Sequence, residues 1–114
     1  MIKIQGIDPD MIANNLTPAY PTHPGEVVKD EIEYRKISQR KLAEQTGIPY
    51  KMLNDILNGR RSMTTATAMM LEAALGVPTD SLMRLQLKYN MQQATRDKSF
   101  MERLAQIRKY AALL

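Results

Sequence analysis

Apolar residues recur along this chain at intervals of three and four, the spacing of one helix face. Val28 and Ile32 predict a helix over Pro24–Arg35, in which Pro24 suits the first turn and Glu26 the positive end of the helix dipole. Lys36 and Ile37 connect it to a second helix, Gln39–Thr46, with Leu42, Ala43 and Thr46 at helical spacing. Ser38 can cap that helix and Gly47 can end it in the left-handed conformation. Ile48 plugs the turn, and Pro49 is pre-set for the first turn of a third helix, Tyr50–Leu57. Leu53, Ile56 and Leu57 give that helix one apolar face, and Gly59 closes it. A basic loop follows over Asn58–Met63.

Thr64 is a good cap for a fourth helix, Thr65–Leu75, with Ala68, Leu71, Ala74 and Leu75 inward and Gly76 as its stop. Val77-Pro78 forces an extended link. A fifth helix runs from Thr79 to about Ala94, with Leu82, Leu85 and Tyr89 on one stripe. Ser99 and Glu102 have capping-box spacing, which predicts a sixth helix over Phe100–Ala112. Its face of Phe100, Leu104, Ile107, Ala111 and Leu114 either caps the core or forms a dimer seam.

Upstream, Ile2 and Ile4 alternate with Lys3 and Gln5, as in a short strand in need of a partner or in a frayed arm. Pro9, Pro18 and Pro21 make the stretch to Thr22 mostly irregular, with a short helical turn at Asp10–Asn14. The chain thus divides into an N-terminal arm, 1–22, a helical body, 23–95, and a C-terminal helix, 96–114. The fold class is all-α, a bundle of five to six helices.

Size and composition sharpen this. With 114 residues there is room for one modest core. No cysteine is present, which excludes disulfides and thiolate metal sites. No run approaches the ~20 apolar residues that a membrane span needs, and the early acids of MIKIQGIDPD do not suit a signal peptide, so a cytoplasmic location is expected. Nine methionines against one phenylalanine predict a core filled with thioethers and leucine. His23 is the lone histidine, better suited to local hydrogen bonding or capping than to a metal. No cysteine nucleophile, histidine pair or glycine-rich phosphate loop is present, and the acidic cluster of Glu26, Asp30, Glu31 and Glu33 reads as solvated surface. No enzyme activity, metal or cofactor is expected.

The net charge of +4 conceals a pattern. Residues 1–34 carry six acids against two bases, whereas residues 35–61 carry seven bases against two acids. The basic excess coincides with two short helices joined by a glycine turn, which is a helix-turn-helix. Phosphate binding wants positive charge there. In a DNA-binding version, the outer side chains of the second of those helices face base edges. Lys51 can donate to guanine, Asn54 can pair with adenine, and Asp55 can accept from cytosine. Tyr50 offers a hydroxyl and a ring edge for a thymine methyl. Asp55 has a second reading, an ion pair with Lys51 at i, i+4. Arg40, Arg60 and Arg61 are phosphate candidates, and Gln39 can offer an amide donor.

Ser38–Gly59 resembles the helix-turn-helix of the lambda-repressor-like (XRE) family. The likeness extends from about Thr22 to Asn90. His23-Pro24-Gly25-Glu26-Val27-Val28, Leu57-Asn58-Gly59-Arg60-Arg61, Leu71-Glu72-Ala73-Ala74-Leu75-Gly76, and Leu85-Gln86 with Tyr89 resemble segments of HigA-type antitoxins. The resemblance implies a lambda-repressor-like bundle. It places base-reading side chains at Tyr50, Lys51 and Asp55, sometimes Met52, and a backbone-gripping glutamine at Gln39. It also implies an antitoxin that neutralises a small basic ribonuclease toxin of the RelE-like kind. Such a protein represses its own promoter by binding double-stranded DNA at an inverted repeat as a homodimer. The alternative is a stand-alone helix-turn-helix repressor without a toxin. For the antitoxin reading, the acidic segment 1–34 is the expected contact with a basic toxin.

Overall fold

The structure, a computed structural model, describes residues 22–114. Among these there are six helices and no strand: α1 (Pro24–Arg35), α2 (Gln39–Thr46), α3 (Tyr50–Leu57), α4 (Thr65–Leu75), α5 (Thr79–Thr95) and α6 (Lys98–Ala111). The expected strand at Met1–Ile7 and the helical turn at Asp10–Asn14 lie outside the described residues.

Local chemistry sets most of the boundaries. His23 Nδ1 accepts from the Gly25 N–H at 2.9 Å and caps α1. Ser38 Oγ accepts from the Lys41 N–H at 3.0 Å and caps α2. Thr64 Oγ1 does the same for α4, accepting from the Thr67 N–H at 3.2 Å. Gly47 and Gly76 end α2 and α4 with φ of 79° and 78°, a conformation that a Cβ disfavours. Pro49 stands just before α3 as its extended cap residue instead of inside the first turn. The start of α5 is capped from a distance, because the Glu72 carboxylate accepts from both Thr79 N–H and Thr79 Oγ1–H, at 3.0 and 2.6 Å. Those two hydrogen bonds hold the Glu72 carboxyl below its usual pKa.

One expectation about a helix end changes. The cap of α6 is Asp97, whose Oδ1 accepts from the Phe100 N–H at 3.0 Å, so Ser99 lies inside the first turn and the helix starts at Lys98. Helix α5 ends at Thr95, one residue from the expected end, which leaves Arg96 and Asp97 between the last two helices.

Val28, Ile32, Leu42, Ile48, Leu53, Ile56, Leu57, Met63, Ala68, Leu71, Leu75 and Leu82 form the core, with Ala43 at its edge. α3 packs between α1 and α2, α4 packs on α2 and α5, and α5 returns to α1. α1 and α3 meet backbone to backbone: a Cβ added at Gly25 would overlap the Ile56 carbonyl. Arg35 closes the far end of α1, donating from Nη2 to the Leu75 carbonyl at 2.7 Å while Glu31 holds its Nε.

Three packing expectations are corrected. Ala74 is exposed, because the buried stripe of α4 is Thr67, Ala68, Leu71 and Leu75. The methionines do not fill the core: Met63 is buried and Met52 and Met83 lean on the core, but Met69, Met70 and Met91 are exposed. Finally, α6 does not cap the core. Within the described residues it packs on α5 and buries none of its own residues.

Candidate nucleic-acid interface

The inward face of α3, Leu53, Ile56 and Leu57, is fully buried. Burial of that face turns the opposite one outward, and on it Lys51 has a side chain 91% exposed. Tyr50 is exposed beside it, and the Arg40 guanidinium lies 4.6 Å from the centre of the Tyr50 ring. That cation–π contact ties the start of α2 to the start of α3. Met52 is half-buried and leans on the core, so it is turned away from the exposed face.

Asn54 and Asp55 are only partly exposed, and both are engaged. The Asn54 amide donates to Gln39 Oε1 at 2.8 Å, and its own Oδ1 accepts from Arg60 Nη2 at 2.8 Å. Asp55 Oδ1 accepts from Arg60 Nε at 3.2 Å, and the Arg60 N–H donates to the Asp55 carbonyl at 2.8 Å. The partner of Asp55 is therefore chiefly Arg60. Lys51 Nζ stands 3.9 Å from its other oxygen, a loose pair between an exposed and a shielded group. One chain of contacts thus runs from Gln39 on α2 through Asn54 and Asp55 on α3 to Arg60 in the following loop. Arg61, the last of the expected residues, is exposed.

The loop that carries Arg60 and Arg61 is pinned from three sides. Gln86, buried on α5, accepts from the Met63 N–H at 2.7 Å and donates to Asn90 Oδ1 at 2.9 Å. His23 packs against the same loop, with its side chain 3.8 Å from where a Cβ at Gly59 would stand. Because Nδ1 accepts from the Gly25 N–H, the neutral ring carries its proton on Nε2. Burial pushes the His23 pKa below its usual 6.5. The Tyr89 ring meets the His23 ring edge-on at 4.8 Å. From α1, Lys29 Nζ donates to Asn58 Oδ1 at 3.1 Å.

His23, Gln86 and Tyr89 carry no charge-based signal for DNA, and reasoning from composition and charge does not find them. Their trace in the sequence is the resemblance of His23-Pro24-Gly25 and Leu85-Gln86 with Tyr89 to family segments. The structure supplies the physical reason for both: they hold a basic loop against the end of α3.

The helix-turn-helix family matches residues 29–82. An addiction module antidote protein of a HigA family from Coxiella burnetii is 33% identical, with a TM-score of 0.65 over 70% of this chain and 88% of that one. A putative antidote protein of a plasmid maintenance system from Nostoc punctiforme is 31% identical, with a TM-score of 0.66 over 78% and 96%. The Pseudomonas aeruginosa antitoxin HigA, solved with its higBA promoter, is 28% identical, with a TM-score of 0.64 over 69% and 87%. With this helical bundle, the glycine-turned pair α2–α3 and these likenesses along most of its length, the chain belongs to the HigA family of helix-turn-helix antitoxins.

Proposed function

We propose that this chain represses its own promoter as a two-fold dimer and neutralises a small basic ribonuclease encoded with it. The observation that carries the DNA half is the exposed Lys51–Tyr50 edge of α3, flanked by basic or amide groups on both sides. Lys51 and Tyr50 read base edges. Gln39, Arg40, Arg60 and Arg61 hold phosphates, which sets the register of α3 in the major groove. Gln39 uses its carbonyl on Asn54, so its amide end is the one for a phosphate oxygen. Asn54 and Asp55 act mainly by orienting Gln39 and Arg60, and Met52 supports the helix from the core side. One such helix reads a few base pairs, so two copies bind an inverted repeat with half-sites about 34 Å apart. The P. aeruginosa relative, solved on promoter DNA, supports this reading.

For the toxin half, support comes from the family and from charge. An RNA-cutting protein needs positive charge to hold its substrate. The solvent face of α1 presents Glu26, Asp30 and Glu33, all exposed, to such a protein. Residues 1–21 complete the acidic segment and lie outside the described residues. Removal of residues 1–20 is expected to weaken toxin binding, and unchanged affinity refutes that part.

The test is a titration of the full chain on its upstream DNA and on scrambled DNA, at two salt concentrations, beside a Lys51→Ala, Arg60→Ala double variant. Operator-specific binding, weakened by salt and lost in the variant, is expected. Equal weak binding to both DNAs, indifferent to the substitutions, refutes the interface. Tight operator binding with no neighbouring basic protein that associates leaves a stand-alone repressor.

A further inference from the structure

Two apolar surfaces are left uncovered by the described residues, and they suit each other. The first is on α4. Apart from Glu72 and its threonines, this helix is apolar on every side, yet only one stripe is buried. Its outward side presents Met69, Met70, Ala73 and Ala74 to solvent. Met70, Ala73 and Ala74 line a groove of about 370 Å³ against Gln45 and Thr46 at the end of α2. The alanines make the floor low enough for another helix to approach closely. The second surface is α6, whose Ile107 and Tyr110 are 53% and 67% exposed. A 14-residue helix with no fully buried residue is at the length where isolated helices are marginal in water, at roughly 12–15 residues. It therefore needs a cover. No residue of α6 is among those lining the α4 groove of the same chain.

Charge decides which surface meets which. α6 carries Lys98, Arg103, Arg108 and Lys109 against Glu102 alone, so pairing α6 with a second α6 sets like charges together. Residues 62–83, which include α4, carry Glu72 and Asp80 and no base. The groove itself has no charged lining residue, so a basic, apolar helix seats there without the repulsion that a second α6 would bring.

We propose that α6 of one copy seats on the outward face of α4 of a second copy, and the reverse, so that the two protomers exchange their C-terminal helices. Each copy gives one helix and receives one, which closes the pair under two-fold symmetry. The exchange leaves the exposed edge of α3 uncovered, since neither surface includes it. It extends the dimer of the proposed function by naming its seat.

The absence of cysteine makes the test clean, because each introduced thiol is the only one in its chain. Ala73→Cys chains are mixed with Ile107→Cys chains in an oxidised glutathione buffer, and disulfide dimers are resolved without reductant. A bond requires Cα atoms within about 7 Å. The mixture is expected to give a mixed dimer well above the yield of either chain alone. In sedimentation, the wild type is expected at twice the chain mass, and Met70→Arg and Ile107→Glu at half that value with helical content retained. Both sites are exposed, so neither change touches the core.

Self-linking of Ile107→Cys without the mixed product places α6 against α6 and overturns the proposal. An internal disulfide in the Ala73→Cys, Ile107→Cys double variant folds α6 onto its own α4 and overturns it too. So do a monomeric wild type and a dimer that forms neither bond. Operator binding by the wild type is read separately. A dimer linked at this seat that ignores its operator refutes the DNA reading alone, and operator binding without the link refutes the seat alone.

Discussion

Lys51 and Arg60 are both cations at the same end of the molecule, yet their surroundings assign them different work. The Lys51 side chain is 91% exposed, with only a loose partner in Asp55 at 3.9 Å, so it is at liberty to reach a base edge. Arg60 is held by two side chains, Asn54 at 2.8 Å and Asp55 at 3.1 Å, in the loop past α3. Lys51→Ala should remove a base contact worth about 1–3 kcal/mol at one operator position. That is a loss of roughly 5- to 150-fold per half-site, and it should vanish on operators already altered at that position. Arg60→Ala should instead weaken binding to every sequence alike. One phosphate contact per half-site contributes about 0.9 to the salt slope, so a dimer should lose about 1.8 of it.

Asn54→Ala separates the two possibilities for Asn54 itself. As an orienting residue it releases Gln39 and half of the hold on Arg60, so its effect should resemble a weaker Arg60→Ala: uniform across sequences, with a smaller salt slope. As a reader of adenine it should lose affinity only on operators that keep one particular base pair. Fluorescence anisotropy on an operator and its single-position variants, at several salt concentrations, yields both quantities in one series. A sequence-restricted loss for Asn54→Ala, or a uniform one for Lys51→Ala, would falsify the division of labour.

Further predictions concern the scaffold. Gly25→Ala forces α1 away from the Ile56 carbonyl and should cost about 1–3 kcal/mol, the usual range for overpacking; thermal unfolding checks it, and an unchanged midpoint refutes the close approach. Gln86→Leu strands the Met63 N–H at a buried position, at a cost of about 1–3 kcal/mol, and should also weaken DNA binding through the released loop. His23 has its pKa lowered in the folded chain, so the unfolded chain takes up a proton first as pH falls. Its contribution to stability is complete above about pH 6.5 and declines below it, until the folded state also protonates; chemical denaturation at a series of pH values should show this slope in the wild type and lose it in His23→Gln.

The helix boundaries were legible because their causes are local. Ser38, Thr64, Gly47 and Gly76 each act on backbone groups within a few residues, so the sequence contains the whole interaction. The start of α6 was misread for the same reason in reverse: Asp97 and Ser99 are both competent caps two residues apart, and nothing nearby distinguishes them. The interface was legible only in outline. That α3 turns Tyr50 and Lys51 outward follows from its own apolar stripe. That Asn54 reaches Gln39, and Arg60 reaches Asn54, depends on how α2 crosses α3, which is fixed by the packing of Leu42 and Leu53 and not by spacing along the chain. The methionines mark another limit. Periodicity ranks the faces of a helix only when they differ, and α4 is apolar nearly all round, so its pattern does not say which side meets the core. Once Ala68, Leu71 and Leu75 are known to be inside, the remaining apolar side is no longer packing material for this chain's core. A polar residue at Ala73 would leave the described core untouched, so the apolar side of α4 is the one that the proposed helix exchange would cover.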